Sequence, residues 1–131
     1  MRIMKVDEIA EQAVDSPLFT GGAVTRQPLL SEQEGAFFNM SVVNFSPGAR
    51  NWFHKHTSDQ VLLVTAGRGI VAFETEERVV GVGEIAYIPA GEKHWHGATP
   101  HDAMTHVAIQ EKIDGSNVTW MEKVADEDYN G

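Results

Sequence analysis

The chain has 131 residues, 42% of them hydrophobic, and a formal net charge of −9 at neutral pH. That length suits one domain with its own core, and the acidic balance, with no basic run, excludes nucleic acid and anionic membrane surfaces as partners. Cysteine is absent, so there is no disulfide framework or thiolate site, and a reducing cytoplasm is the compatible location.

The opening Met1-Arg2-Ile3-Met4-Lys5-Val6-Asp7-Glu8 becomes charged too soon for a secretory leader, and no apolar stretch is long enough to span a bilayer. Residues 6–14 carry Val6, Ile9, Ala10 and Ala13 at a weak helical spacing ended by Ser16-Pro17, which an extended arm accommodates equally well. From residue 22 onward the pattern is β: 22–29, 36–45, 52–56, 60–65, 69–74, 78–80, 85–88, 94–97 and 103–111, separated by Gly, Pro and acidic turns. Many short strands without a βαβ pattern mean an all-β sandwich or barrel. The expected organisation is a single domain over 1–131, with an arm at 1–21, a barrel at 22–121 and an acidic tail at 122–131 that includes Asp126-Glu127-Asp128. Trp52, Trp95, Phe37, Phe38, Phe45 and Phe73 are expected mainly in the core, Trp120 in a packed terminal segment and His101 in solvent.

One group of polar residues interrupts this apolar pattern with chemistry. His54 and His56 are two residues apart and project to one face of a strand. Gln60 follows the polar turn Thr57-Ser58-Asp59 and opens the returning strand, and His94 follows a strand that ends at the turn Pro89-Ala90-Gly91. Two hairpins can therefore aim three imidazoles and an amide at one point. A His-x-His pair by itself is more often a satisfied surface pair, but glycine and proline punctuation at Gly48, Gly67, Gly83, Pro89 and Gly91 favours a constructed site. A nitrogen and oxygen donor set without thiolate suits Mn, Fe, Co, Ni or Zn. A neutral amide at Gln60 leaves a divalent ion its full charge, which favours Lewis acidity over oxidation to the trivalent state.

Strand 103–111 alternates Met104, His106, Ala108 and Gln110 on one face with Thr105, Val107 and Ile109 on the other. His106 there is equally well explained as a satisfied core histidine. His96, two residues from His94, points to the same side and is placed either to support the ligands or to touch a substrate.

The spacing Gly48, His54, His56, Gln60, Gly67 resembles the first motif of the cupins, with Gln60 where the motif has Glu. The spacing Gly83, Pro89, Gly91, His94 resembles the second, with Ala98 in place of Asn. The segments 91–98 and 103–111 are further similar to small bacterial cupins that include manganese-dependent hydroxynitrile lyases. The resemblance implies a double-stranded β-helix, or jelly-roll barrel, that forms a homodimer. It also implies metal ligands at His54, His56, Gln60 and His94, manganese as the metal, and His106 as an acid/base residue. Val42 and Gln110 fall at implied pocket positions, with Gln110 or His96 orienting a leaving cyanide. Met40 is a departure, since a small residue is expected there. The implied reaction is cleavage or formation of a small aromatic cyanohydrin, with an Fe(II) dioxygenase and a non-catalytic binding module as alternatives.

Overall fold

The computed structural model describes residues 1, 3–30, 37–111, 118–126 and 129. Ala36, Glu127 and Asp128, which the sequence analysis assigned to a strand and to the tail, lie outside the described residues. The chain runs through a 3-10 turn (Val6–Glu8) and then β1 (Gln12–Ala13), β2 (Phe19–Thr20), β3 (Val24–Leu30), β4 (Phe38–Phe45), β5 (Arg50–Asn51) and β6 (His54–His56). It continues with β7 (Gln60–Phe73), β8 (Glu77–Gly81), β9 (Ile85–Ile88), β10 (His94–Ala98), β11 (Met104–Glu111) and β12 (Val118–Trp120).

Where two strands were expected at 60–65 and 69–74, one continuous β7 runs through and belongs to two sheets. Its first half pairs β11 and β9, and its second half pairs β10 and β8. The chain changes sheet at Gly67, whose φ of 73° suits glycine, and a Cβ there would sit 1.8 Å from the Ala103 carbonyl oxygen. The first sheet extends β1-β3-β4-β11-β7. The second places β10 beside both β5 and β6, which lead to β2 and β12 respectively. The two sheets curl around a shared interior, the jelly-roll arrangement. The stretch expected as an arm supplies β1 and β2, and its 3-10 turn is held by Gln27, whose amide donates to the Val6 and Ile9 carbonyls.

Strand alternation divides the core. Val24, Phe45, Val64, Ala98 and Met104 form one cluster and Leu62, Val71 and Ile88 another. A third cluster, Ile70, Ala72, Trp95, Val124 and Tyr129, lies on the outer face of the second sheet, where the C-terminal segment packs. Buried Arg50 pins that segment, pairing with Asp126 and lying 4.0 Å over the Tyr129 ring. The expectation for the aromatics holds for Phe45 and Trp95, which are buried, but not for Phe37 and Phe38, which are exposed at and just before the start of β4. His101 is exposed, as expected.

Candidate metal centre

The strand breaks at Trp52-Phe53, so β5 and β6 are two pieces beside the single edge of β10. His94 on β10 pairs directly with His54 on β6, which puts both imidazoles on the interior face. His56 follows two residues on, and Gln60 opens β7 opposite Gln110 of β11. The imidazole ring centres of His54 and His94 are 4.3 Å apart and those of His54 and His56 4.8 Å. One ligand nitrogen from each of His54, His56 and His94 lies within 4.8 Å of the others.

This donor set fits a divalent metal. Nε2 of His56, Nε2 of His94 and Oε1 of Gln60 are buried without a hydrogen-bond partner, an arrangement that costs about 1–3 kcal/mol per group unless something binds there. The far nitrogens are held. His54 Nδ1 is 2.7 Å from the Trp52 carbonyl oxygen and His94 Nδ1 is 2.9 Å from that of Glu92. A carbonyl only accepts, so both rings carry the proton on Nδ1 and turn an Nε2 lone pair inward. Burial, reinforced by the charge of His94, pushes the pKa of His54 down to about 3 and that of His56 to about 4. Burial lowers His94 as well. All three are neutral at pH 7, the protonation state a ligand needs.

Gln110 was expected to face a substrate, and the structure engages its amide with His56 instead. Its Nε2 lies 3.0 Å from His56 Nδ1 and 3.0 Å from Ser58 Oγ. Ligation through His56 Nε2 requires a proton on Nδ1, which the amide meets when its oxygen end is turned to the ring and to the Ser58 hydroxyl. Gln110→Leu is therefore expected to weaken metal binding about 10–100-fold, read by titration calorimetry, and wild-type affinity in that variant would refute the role.

Above the cluster, His96 and His106 stand close, with His106 Nε2 3.4 Å from His96 Nδ1. His106 is 1% exposed, and burial pushes its pKa down to about 4. Phe45 packs on both rings, at 5.4 Å from His106 and 5.9 Å from His96.

The register corrects two pocket positions. In the antiparallel β4–β11 ladder His106 pairs with Val43, Ala108 with Ser41 and Met104 with Phe45. Directly paired residues share a face, so Ser41, Val43 and Phe45 face the interior with His106. Met40 and Val42 pair with Ile109 and Val107 on the opposite face. Thr105, also on that face, donates to Asn44 Oδ1. The small residue expected at 40 stands one place along, at Ser41.

Sequence reasoning also missed Asn51 and Trp120. Asn51 is 3% exposed and bonds twice to His96. Trp120 pairs with His54 across β12–β6, and its ring lies 4.7 Å from the imidazole. Trp120 lies 66 positions beyond its partner, so no local pattern announces the contact; Asn51, shortly before the first histidine in the same segment, was a signal, as a polar residue at an interior strand position.

The same burial that readies the ligands sets a pH dependence. His54, His56 and His106 have folded pKa values below the unfolded 6.5, so the unfolded chain takes up protons first as the pH falls. Their contribution to stability is complete above about pH 6.5 and is lost as the pH falls toward 4, about 2 kcal/mol for each histidine between pH 7 and pH 5. Urea unfolding of metal-free protein is expected to show a clearly lower midpoint at pH 5, and an unchanged midpoint would contradict these shifts.

The two hairpins expected to carry the ligands are not formed, since β6 pairs β10 and β12 while β7 begins in the other sheet beside β9 and β11. A jelly roll with histidines from the paired strands β6 and β10 converging inside it still defines the class, and the match of residues 41–109 to the cupin domain model completes it. The chain belongs to the cupin family. It is 43% identical over 132 residues, covering 98% of each chain, to a protein of Granulicella tundricola named (R)-mandelonitrile lyase. Acireductone dioxygenase of Pseudomonas aeruginosa is 37% identical over 54 residues, 37% of this chain and 30% of that one. Among solved structures, a cupin-like protein from Thermotoga maritima superposes with a TM-score of 0.84 at 32% identity over 89% of both chains. The polyketide cyclase RemF from Streptomyces resistomycificus gives 0.80 at 20% identity over 98% of this chain and 90% of that one, a likeness of fold.

Proposed function

We propose that this cupin is a metal-dependent lyase that cleaves and forms small aromatic cyanohydrins. The observation that carries the reading is one buried interior holding both the ligand cluster of His54, His56 and His94 and the neutral His106. The near full-length similarity to a mandelonitrile lyase supports the substrate class.

His54, His56, His94 and Gln60 would hold the ion, and manganese(II) suits three imidazoles with a neutral amide. A divalent ion there supplies Lewis acidity toward a substrate oxygen. The rest of the chemistry belongs to side chains. His106 accepts the hydroxyl proton of the cyanohydrin while the bond between carbon and cyanide breaks, its electron pair leaving with cyanide as the carbonyl forms. The protonated His106 then returns the proton to cyanide, releasing aldehyde and hydrogen cyanide. His96 stands beside His106 in the same interior, and Ser41, Val43 and Phe45 supply wall for an aryl ring. The reading includes a homodimer, for which exposed Val79, Val82, Ile85 and Tyr87 on and beside the β8 and β9 edges offer a face, and a cytoplasmic location, in keeping with a chain free of cysteine. No helix among the described residues is long and apolar enough to cross a membrane.

The test is benzaldehyde release from mandelonitrile by manganese-loaded protein beside chelated protein. Metal-dependent release is expected, and a loaded protein at the background rate would refute the substrate assignment. The partial likeness to acireductone dioxygenase favours a second reading, in which the site binds Fe(II) and turnover consumes oxygen. An oxygen electrode separates the two.

A further inference from the structure

The buried hydrogen bonds around His96 determine where its proton sits, because one partner in the chain has no freedom. The backbone N–H of His96 donates to Asn51 Oδ1 at 2.9 Å. An N–H has only a proton to offer, so this bond fixes the orientation of the Asn51 amide: the oxygen faces the backbone and the NH2 faces the ring. Asn51 Nδ2 lies 3.2 Å from His96 Nε2. That nitrogen must therefore be the acceptor, and in the neutral ring the proton then resides on Nδ1. His96 Nδ1 in turn lies 3.4 Å from His106 Nε2. The second ring meets a donor, so its Nε2 carries a lone pair and its own proton is on Nδ1.

The fold explains why an asparagine stands here. The strand breaks after β5, and the side chain of Asn51 takes the His96 N–H that an uninterrupted strand would have taken with its backbone. Asn51 and its pair partner Phe19 face the interior, while Arg50 next to it faces out to Asp126 and Tyr129.

We infer that Asn51 is a positioning residue that locks the proton arrangement of the His96–His106 pair, keeping His106 Nε2 unprotonated and so able to take a proton, with His96 Nδ1 as the donor that holds it. The arrangement of protons rests on the hydrogen bonds alone; its use in catalysis rests on the lyase reading above. An acceptor at position 51 in place of the NH2 would draw the His96 proton to Nε2, make Nδ1 an acceptor and force a proton onto His106 Nε2, blocking the base.

The experiment is two-bond proton–nitrogen correlation spectroscopy of the imidazoles in 15N-labelled, zinc-loaded protein, for wild type and the isosteric Asn51→Asp, with kinetics on the manganese-loaded forms. Wild type is expected to show both His96 and His106 protonated on Nδ1, and Asn51→Asp to move the His96 proton to Nε2. Metal content and KM for mandelonitrile should be unchanged in that variant while kcat falls on the order of a hundredfold. Asn51→Ala, which offers no acceptor, should give mixed tautomers and a smaller loss. Nε2 protonation of His96 in wild type, or tautomers untouched by Asn51→Asp, would overturn the inference. The expected tautomer pattern without cleavage by either protein would support the lock and count against the lyase reading alone.

Discussion

His94→Ala is expected to weaken divalent-metal binding by about a hundredfold to a thousandfold and to bring mandelonitrile cleavage to background. Structural zinc sites bind their ion with an apparent ~10–16 kcal/mol, so by that scale one of four ligands is worth about 2.5–4 kcal/mol, which at ~1.4 kcal/mol per power of ten is about two to three powers of ten. The effect exceeds that of Gln110→Leu because a donor is removed rather than loosened. His94 is 0% exposed and its Nδ1 is anchored on the Glu92 carbonyl, so the ring cannot be replaced by a neighbouring side chain swinging in. His94→Asn offers a smaller cavity and keeps a polar group near the Glu92 carbonyl, yet supplies no imidazole, and it should lose metal to the same degree. Metal content after dialysis and titration calorimetry read the result. Wild-type affinity in a folded His94→Asn protein would remove His94 from the ligand set.

The second large effect is kinetic. His106→Ala should lower kcat for mandelonitrile by about 10²–10⁴, the range for a general acid–base residue, while metal content stays at the wild-type level. The separation follows from geometry: His106 reaches His96 and the Phe45 ring, and among the described residues the metal cluster is formed without it. His106→Asn, which fills more of the space beside Phe45, guards against loss of folding. Unchanged kcat in either variant would eliminate the acid–base role, and a parallel loss of metal would make His106 a structural part of the cluster.

The chemistry of the ligand set was legible because it is local. His54 and His56 fall on one short strand, where a spacing of two means a shared face whatever the rest of the fold does, although the hairpin expected to join them to Gln60 is not formed, because β6 pairs β10 and β12 while Gln60 opens β7 in the other sheet. The strand at 103–111 was legible for the same reason, and its alternation correctly separates His106 and Gln110 from Thr105 and Val107. The β4 strand shows where this fails. Phe38, Met40 and Val42 are as apolar as Val43 and Phe45, so the pattern leaves open which parity faces inward, and a one-residue slip exchanges the faces. Only the pairing of Val43 with His106 decides it.

The sequence by itself determined an all-β domain, strands carrying histidines on a shared face, and a donor set suited to a divalent ion, because periodicity, turn residues and donor chemistry act over a few residues. The tertiary structure alone decided that β6 and β7 part into different sheets and that β7 serves both, that Ser41 and Val43 rather than Met40 and Val42 face His106, that Gln110 contacts His56, and that Asn51 bonds His96. These are matters of register and hydrogen-bond partnership between strands distant in sequence. They are fixed by the closing of the barrel as a whole, which settles strand register and buried hydrogen-bond partnership together.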